Sequence, residues 1–118
     1  MNRIIHLKFS SESPRNLKDF YADVFGWSAE NLPDPPGSWR MCSGDGPGIN
    51  CSVHSSGGHH FDKGVSLVIS VESLAETVRA LAEAGGRTLQ ESIHAFGNIY
   101  QYCKDPDGNV ICLVAFGR

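Results

Sequence analysis

Much of what this chain can be is set by what it lacks. Its four cysteines, Cys42, Cys51, Cys103 and Cys112, form no Cys-x-x-Cys pair. That removes zinc-ribbon and dithiol-oxidoreductase readings, which need paired thiols at that spacing. No apolar run approaches the roughly 20 residues needed to cross a bilayer. Positive charge is not in excess: 10 Lys plus Arg face 13 Asp plus Glu, for a net charge of -3. A nucleic-acid binder concentrates basic residues on one face, and no stretch here does so. P-loop, dinucleotide fingerprint, nucleophile elbow and a Ser-His-Asp order are missing as well. Neither a nucleic acid nor a membrane is therefore the expected partner. Met1 to His6 run straight into a strand-like alternation without signal-peptide anatomy, which points to the cytoplasm.

What remains is enough for one domain. The 118 residues are 41% hydrophobic and 19% charged, a balance that builds a core without staples. A disulfide framework is not expected, and the cysteines read as free, mostly buried thiols.

Periodicity divides the chain into alternating elements. Residues 3–10 read as a strand, with Ile5, Leu7 and Phe9 on one face and Ile4, His6 and Lys8 on the other. Ser13 reads as a helix N-cap and Pro14 as the first helical residue. Leu17, Phe20, Tyr21, Val24 and Phe25 then form one apolar stripe, closed by Gly26. Shorter strands are expected at 27–30, 38–43 and 49–54, separated by a proline-rich loop at 31–37 and a turn at 44–48. In the last of them Cys51 and Val53 oppose Asn50, Ser52 and His54. Residues 55–63, with His59 and His60, read as an exposed linker rather than a metal-binding tract.

The pattern then begins again. A strand at 65–71 leads to a capping box, Ser73 to Glu76, and to a helix striped by Leu74, Val78, Leu81 and Ala82. Gly85-Gly86 stops it. Strands follow at 87–91, 98–104 and 110–116, the last preceded by the Asp105-Pro106-Asp107-Gly108 turn. A shift of 60 positions aligns Ser10 with Ser70, Glu12 with Glu72, Ser13 with Ser73, Ala22 with Ala82, Gly26 with Gly86, Asp45 with Asp105 and Gly48 with Gly108. Most of these are places where backbone geometry restricts residue type. The chain reads as one domain, 1–118, made of two strand–helix–three-strand units: 1–54, a linker 55–63, and 64–118.

This order resembles the vicinal oxygen chelate superfamily: glyoxalases, extradiol dioxygenases, and bleomycin- and fosfomycin-resistance proteins. The residues that carry the resemblance are Asp19-Phe20-Tyr21 through Val24-Phe25-Gly26-Trp27, then Gly85-Gly86, then Asp105-Pro106-Asp107-Gly108-Asn109. It covers nearly the whole chain and looks most like the small glyoxalase-like proteins. It implies an α+β fold in which two tandem βαβββ units form curved mixed sheets around a cavity, with helices on the outer face. It also implies a homodimer with an isologous contact. Ile5, Leu7, Phe9, Ile111, Leu113 and Ala115 are then expected under the helices. Ile4, His6, Lys8, Asn50, Ser52, His54, Ser66, Val68, Val110, Cys112 and Val114 are expected toward the cavity, along with Ser70.

Metal enzymes of the superfamily take ligands from the first and last strands of each unit. Those positions are His6, Ser52, Ser66 and Cys112 here. One holds an orthodox ligand, and Cys112 offers a thiolate only if its pKa is lowered. A catalytic site needs about three protein ligands. No cofactor is therefore the first expectation, with a divalent ion (Zn, Ni, Mn or Fe) on His6 and Cys112, aided by His54, as the alternative. A His6–Cys112 nucleophile pair lacks a third group.

Other residues stay open. Trp39, Met41, Tyr100 and Tyr102 line a pocket or fill the core, and alternation alone does not decide. His94 and Phe96 fall on a loop before the penultimate strand. Arg40 and Lys8 carry charge that suits an anionic ligand, but the default reading is a solvated surface. The expected function is binding of a small molecule in the cavity. The alternatives are a metal-dependent lyase, isomerase or dioxygenase-type enzyme and a protein-interaction module.

Overall fold

In a computed structural model the described residues are 1–33, 37–44, 46–55 and 64–117. They form two compact units: His6–Val65, and Met1–Ile5 together with Ser66–Arg118. These are called the N-terminal and C-terminal units below. The expected linker lies, apart from Ser55, outside the described residues, and so do His59 and His60.

Along the N-terminal half run β1 (Arg3–Ser11), α1 (Pro14–Phe25), β2 (Ser28–Leu32), β3 (Ser38–Cys42) and β4 (Cys51–Ser55). The strands lie side by side in the order β2-β3-β4-β1. β1 pairs with β4 in parallel, and the other two pairings are antiparallel. The second half has β5 (Gly64–Ser70), α2 (Leu74–Glu83), β6 (Arg87–Thr88), β7 (Ile93–Ala95), β8 (Asn98–Lys104) and β9 (Val110–Ala115). Its order is β5-β9-β8-β6, with β7 also pairing to β8 and β5 parallel to β9. The fold is α+β: the first half follows the strand–helix–three-strand order, and the second repeats it with the short strand β7 added.

Register puts the repeat on a physical footing. Leu7 pairs with Cys51 and Leu67 with Ile111, so both strands of the parallel pair keep the 60-residue offset. The third strand does not: Arg40 sits opposite Ser52, whereas Tyr102 sits opposite Cys112, an offset of 62. The expected constant offset thus fails at β3 and β8. Loops absorb the difference, as surface connections do at little cost. The β8–β9 turn is tight because Asp105 Oδ1 accepts from the Asp107 and Asn109 backbone N–H groups at 2.9 and 2.8 Å.

The two helices sit where the apolar stripes predict but begin and end differently. Ser73 Oγ accepts from Glu76 N–H at 3.2 Å and caps α2. Ser13 caps α1 by position only: its side chain makes no cap bond, and its own N–H goes to Ser11 Oγ at 2.9 Å. Gly26 ends α1 in the left-handed region at φ 73°. In α2 that backbone conformation falls on Gly85, at φ 100°, not on the aligned Gly86. Gly86 is small for another reason: a Cβ there would meet Leu81 Cδ2 at 2.6 Å and the Lys104 carbonyl oxygen at 2.9 Å.

Less than half of the α1 stripe is covered. Leu17 and Tyr21 pack with Leu7, Phe9 and Trp27 against buried Met41, Cys51 and Val53. Tyr21 stacks on Trp27 with centroids 5.0 Å apart. Phe20, Val24 and Phe25 are more than half exposed. In the C-terminal unit Leu74, Val78 and Leu81 of α2 pack with Ile69, Ile111 and Ala115 on Val71, Cys103 and Leu113. Fully burying a Val or Leu side chain contributes roughly 1.5–3 kcal/mol, and the partly buried ones here contribute less.

Two strand expectations change. Residues 87–91 give strand only at Arg87–Thr88, although Leu89 N–H still reaches the Tyr102 carbonyl. The expected loop around His94 is β7, joined to β8 by a two-residue turn at Phe96-Gly97 with φ of 53° and 76°. Positive φ at both positions is the twist-matched hairpin turn, and Phe is an unusual occupant of it.

Candidate functional site

Strand alternation gives the N-terminal unit two unlike faces. The side packed on α1 carries Leu7, Phe9, Met41, Cys51 and Val53. The other side carries His6, Lys8 and Ser10 on β1, Ser52 and His54 on β4, and Ser38 and Arg40 on β3. These are all polar, while Cys42 on β3 and Leu32 on β2 have the same parity at the edge of this side. Lys8, Ser52 and Arg40 make one row across three strands, and Glu30 continues it on β2. Ser10 lies opposite His54 in the next row.

A chain of hydrogen bonds runs through this face. His6 Nε2 lies 2.9 Å from Ser52 Oγ. The same oxygen lies 2.8 Å from His54 Nε2. His54 Nδ1 in turn lies 3.0 Å from Ser38 Oγ. Ser52 has one proton to give, so at most one imidazole accepts from it and at least one donates to it. Ser38, Ser52 and His54 are buried, as is Ser10. Burial, then Lys8, then His6 push the His54 pKa down to about 4. Burial, then Lys8, then Arg40 hold His6 below the usual imidazole range. Both rings are therefore neutral at pH 7.

The corresponding face of the C-terminal unit is different in kind. Val68, Cys112 and Tyr102 make one row, and Ser70, Val114 and Tyr100 the next. Tyr102 and Cys112 are bonded through their side chains, and burial is the main cause that raises the Tyr102 pKa far above the usual phenol range. On the α2 side, burial raises the Cys103 thiol to about 11.

The residues singled out from sequence thus divide. His6, Lys8, Ser52 and His54 come together. Ser66, Val68 and Cys112 lie in the other unit, and all three are buried. Asn50 braces the loop before β4: its Oδ1 accepts from Ser43 N–H at 3.1 Å. Trp39 sits one residue from Arg40 on the opposite side, where Lys18 Nζ lies 4.1 Å from its ring centre. Met41 shares that side, whereas Tyr100 and Tyr102 face away from α2. His94 is exposed on β7. Sequence reasoning missed Ser38 and Ser10, and left Arg40 at the surface. The signal for Ser38 and Arg40 was their shared parity on β3, which acquires meaning only with the β3–β4 register.

The donor set does not fit a metal ion. Among the described residues no three His, Cys, Asp or Glu side chains form a group able to hold one. Two imidazole nitrogens do converge, but on a serine hydroxyl, a poor ligand. Both nitrogens of His54 are committed to hydroxyls.

Over residues 6–114, nearly the whole chain, the sequence matches the family model described as a glyoxalase-like domain. The chain belongs to that family. Solved structures agree on the fold of this glyoxalase-like protein. A glyoxalase/bleomycin resistance protein/dioxygenase superfamily member from Vibrio splendidus 12B01 matches with a TM-score of 0.68 and 14% identity, covering 98% of this chain and 99% of that one. Methylmalonyl-CoA epimerase from Mycobacterium tuberculosis gives 0.63 and 16%, over 97% and 87% of the two chains. The Mn(II)-bound glyoxalase from Novosphingobium aromaticivorans gives 0.64 and 16%, over 96% of this chain and 37% of that one. At such identities the likeness is one of fold. No curated protein matches the sequence. Among the described residues no helix is long and apolar enough to cross a membrane.

Proposed function

We propose that this glyoxalase-like protein binds a small molecule over the polar strand face of its N-terminal unit, without a complete family metal site. One observation supports the reading most. Two neutral imidazoles and two hydroxyls form a continuous chain, His6–Ser52–His54–Ser38, on the face turned away from the helix. Such a chain offers both donors and acceptors, and it can switch direction to suit a ligand without charging or discharging. The protein acts in the cytoplasm as a homodimer.

The test is thermal unfolding and NMR with a library of small uncharged and charged fragments. A fragment at 100 times its dissociation constant adds about 2.7 kcal/mol. Fragments that raise the midpoint and shift the His6 and His54 ring signals support the reading. A library that leaves those signals unmoved overturns it. Size-exclusion chromatography with light scattering checks the dimer.

A second reading, a metal-dependent lyase, isomerase or dioxygenase-type enzyme, draws on the convergence of His6 Nε2 and His54 Nε2 on one oxygen. It needs a further ligand, and among the described residues no third His, Cys, Asp or Glu joins the two imidazoles. Ni²⁺, Zn²⁺, Mn²⁺ and Fe²⁺ added singly decide it. A midpoint rise of several degrees that His6→Ala abolishes puts this reading first.

A further inference from the structure

The two units also differ under their helices. In the C-terminal unit an open groove of about 480 Å³ runs between α2 and the strands. Small-molecule sites span roughly 300–1,000 Å³. Its floor includes Ile69, Ile111 and Leu113, and α2 contributes Thr77, Ala80 and Leu81. All of these belong to the one unit. Ile69, Leu81 and Ile111 are only partly buried, although they point to the helix side of the sheet.

The internal repeat shows what is missing there. In the N-terminal unit the Tyr21 ring stands 5.3, 5.1 and 5.0 Å from those of Phe9, Phe20 and Trp27. A shift of 60 positions replaces Phe9, Phe20, Tyr21 and Trp27 by Ile69, Ala80, Leu81 and Arg87, and Leu17 by Thr77. No ring remains. Ile69, Thr77, Ala80 and Leu81 all line the groove. Space opens where side chains shrink and the backbone does not close up behind them. What the second copy lacks is therefore aromatic volume on an apolar floor.

Glu76 is the one charged residue among those lining the groove. In a complete capping box its carboxylate would return a bond to the Ser73 N–H. Here Ser73 Oγ accepts from Glu76 N–H, but the carboxylate has neither a hydrogen bond nor an ion pair among the described residues. Thr77 Oγ1 already donates to the Ser73 carbonyl at 2.8 Å. Asn2, the other polar neighbour, is uncharged. The groove thus joins an apolar floor to one uncommitted negative charge.

We propose that this groove binds a small molecule made of one aromatic ring and a protonated amine. The ring takes the space that aromatic side chains occupy in the first copy, and the ammonium pairs with Glu76.

Methyl NMR titration of the full chain tests this with four probes: phenethylamine, 2-phenylethanol, 3-phenylpropionate and butylamine. Phenethylamine is expected to give saturable shifts of the Ile69, Leu81, Ile111 and Leu113 methyl signals. 2-Phenylethanol binds about fivefold more weakly, the scale of an exposed ion pair. 3-Phenylpropionate binds more weakly still, and butylamine, which has the charge without the ring, gives no saturable shift. Glu76→Gln weakens phenethylamine by about fivefold and leaves 2-phenylethanol unchanged. Glu83→Gln, the same charge change at another exposed position of α2, alters neither. Ala80→Phe, which restores the side chain of the aligned position, fills the groove and abolishes binding. Ala80 is exposed, so this variant keeps the fold, which the unfolding midpoint verifies. The inference is overturned if no probe shifts those methyls, or if any other probe binds as well as phenethylamine. It is overturned too if Glu76→Gln leaves the affinity for phenethylamine unchanged, or if folded Ala80→Phe does. The polar face of the N-terminal unit is read separately, at His6 and His54, and stands or falls on its own.

Discussion

The two units carry opposite chemistry on matched backbones. On the helix side the residues are alike in kind: Leu7 and Leu67, Phe9 and Ile69, Val53 and Leu113. On the other side they part company. His6 answers to Ser66, Lys8 to Val68, Ser52 to Cys112 and His54 to Val114. Packing a helix demands apolar surface in both units. Nothing in the backbone demands anything of the opposite face, so that face is where a function can be written. The N-terminal face became a charged, hydrogen-bonded one, and the C-terminal face one of valines, tyrosines, serines and a thiol.

The sharpest way to break this contrast is to exchange the charge. Val68→Lys places an ammonium where the side chain is only 4% exposed. A buried charge without a partner costs about 3–5 kcal/mol. The urea midpoint should collapse accordingly, while Lys8→Val changes it by less than about 1 kcal/mol. Equal losses in the two variants would show that the faces are not different environments.

Acid comes next. The His54 pKa is about 4, against 6.5 in the unfolded chain. Above pH 6.5 its contribution is complete. Between 6.5 and 4 the unfolded chain takes up a proton that the folded one refuses, so stability falls as pH falls. The loss is about 3 kcal/mol across that window. Urea unfolding at pH 7.5 and 4.5 measures it, and His54→Gln should flatten the slope. An unchanged slope in that variant would place the acid sensitivity elsewhere.

Smaller effects refine the comparison. Ser52→Ala leaves two imidazole nitrogens without their common partner and costs about 2 kcal/mol. Cys112→Ala removes a buried sulfur that is hydrogen-bonded to the Tyr102 hydroxyl and costs about 1–2 kcal/mol. Smallest are the helix starts. Ser73→Ala loses a cap bond, worth about 1 kcal/mol, whereas Ser13→Ala has none to lose and should shift the midpoint by only a few tenths. A Ser13→Ala loss as large as that of Ser73→Ala would contradict the geometry at α1.

Features fixed by local backbone constraints were readable in the sequence. Ser73 with Glu76, Gly26, and Asp105 to Asn109 mark a cap, a helix end and a turn whose residue types follow from short-range geometry. The faces of β1, β4, β5 and β9 were also readable, because alternation is local. What escaped depends on contacts far along the chain. Ser38 meets His54 across 16 residues, and only the β3–β4 register brings them together. β7 was hidden because its turn uses Phe96, a residue that seldom adopts positive φ. Phe20, Val24 and Phe25 fit the helical period, yet periodicity does not say how much of a stripe the sheet is wide enough to cover.

One feature of β1 bears on any attempt to take the molecule apart. Its opening residues group with the C-terminal unit, where Asn2 N–H donates to the Ser70 carbonyl at 2.6 Å. The sequence copies and the folded units therefore have different borders. A cleavage between Ser55 and Gly64 would separate the copies but send Met1–Ile5 away with the wrong fragment. Neither piece would be a whole unit. Recovery of the native state from the two pieces would then be a bimolecular reaction, its extent set by how much of each is mixed.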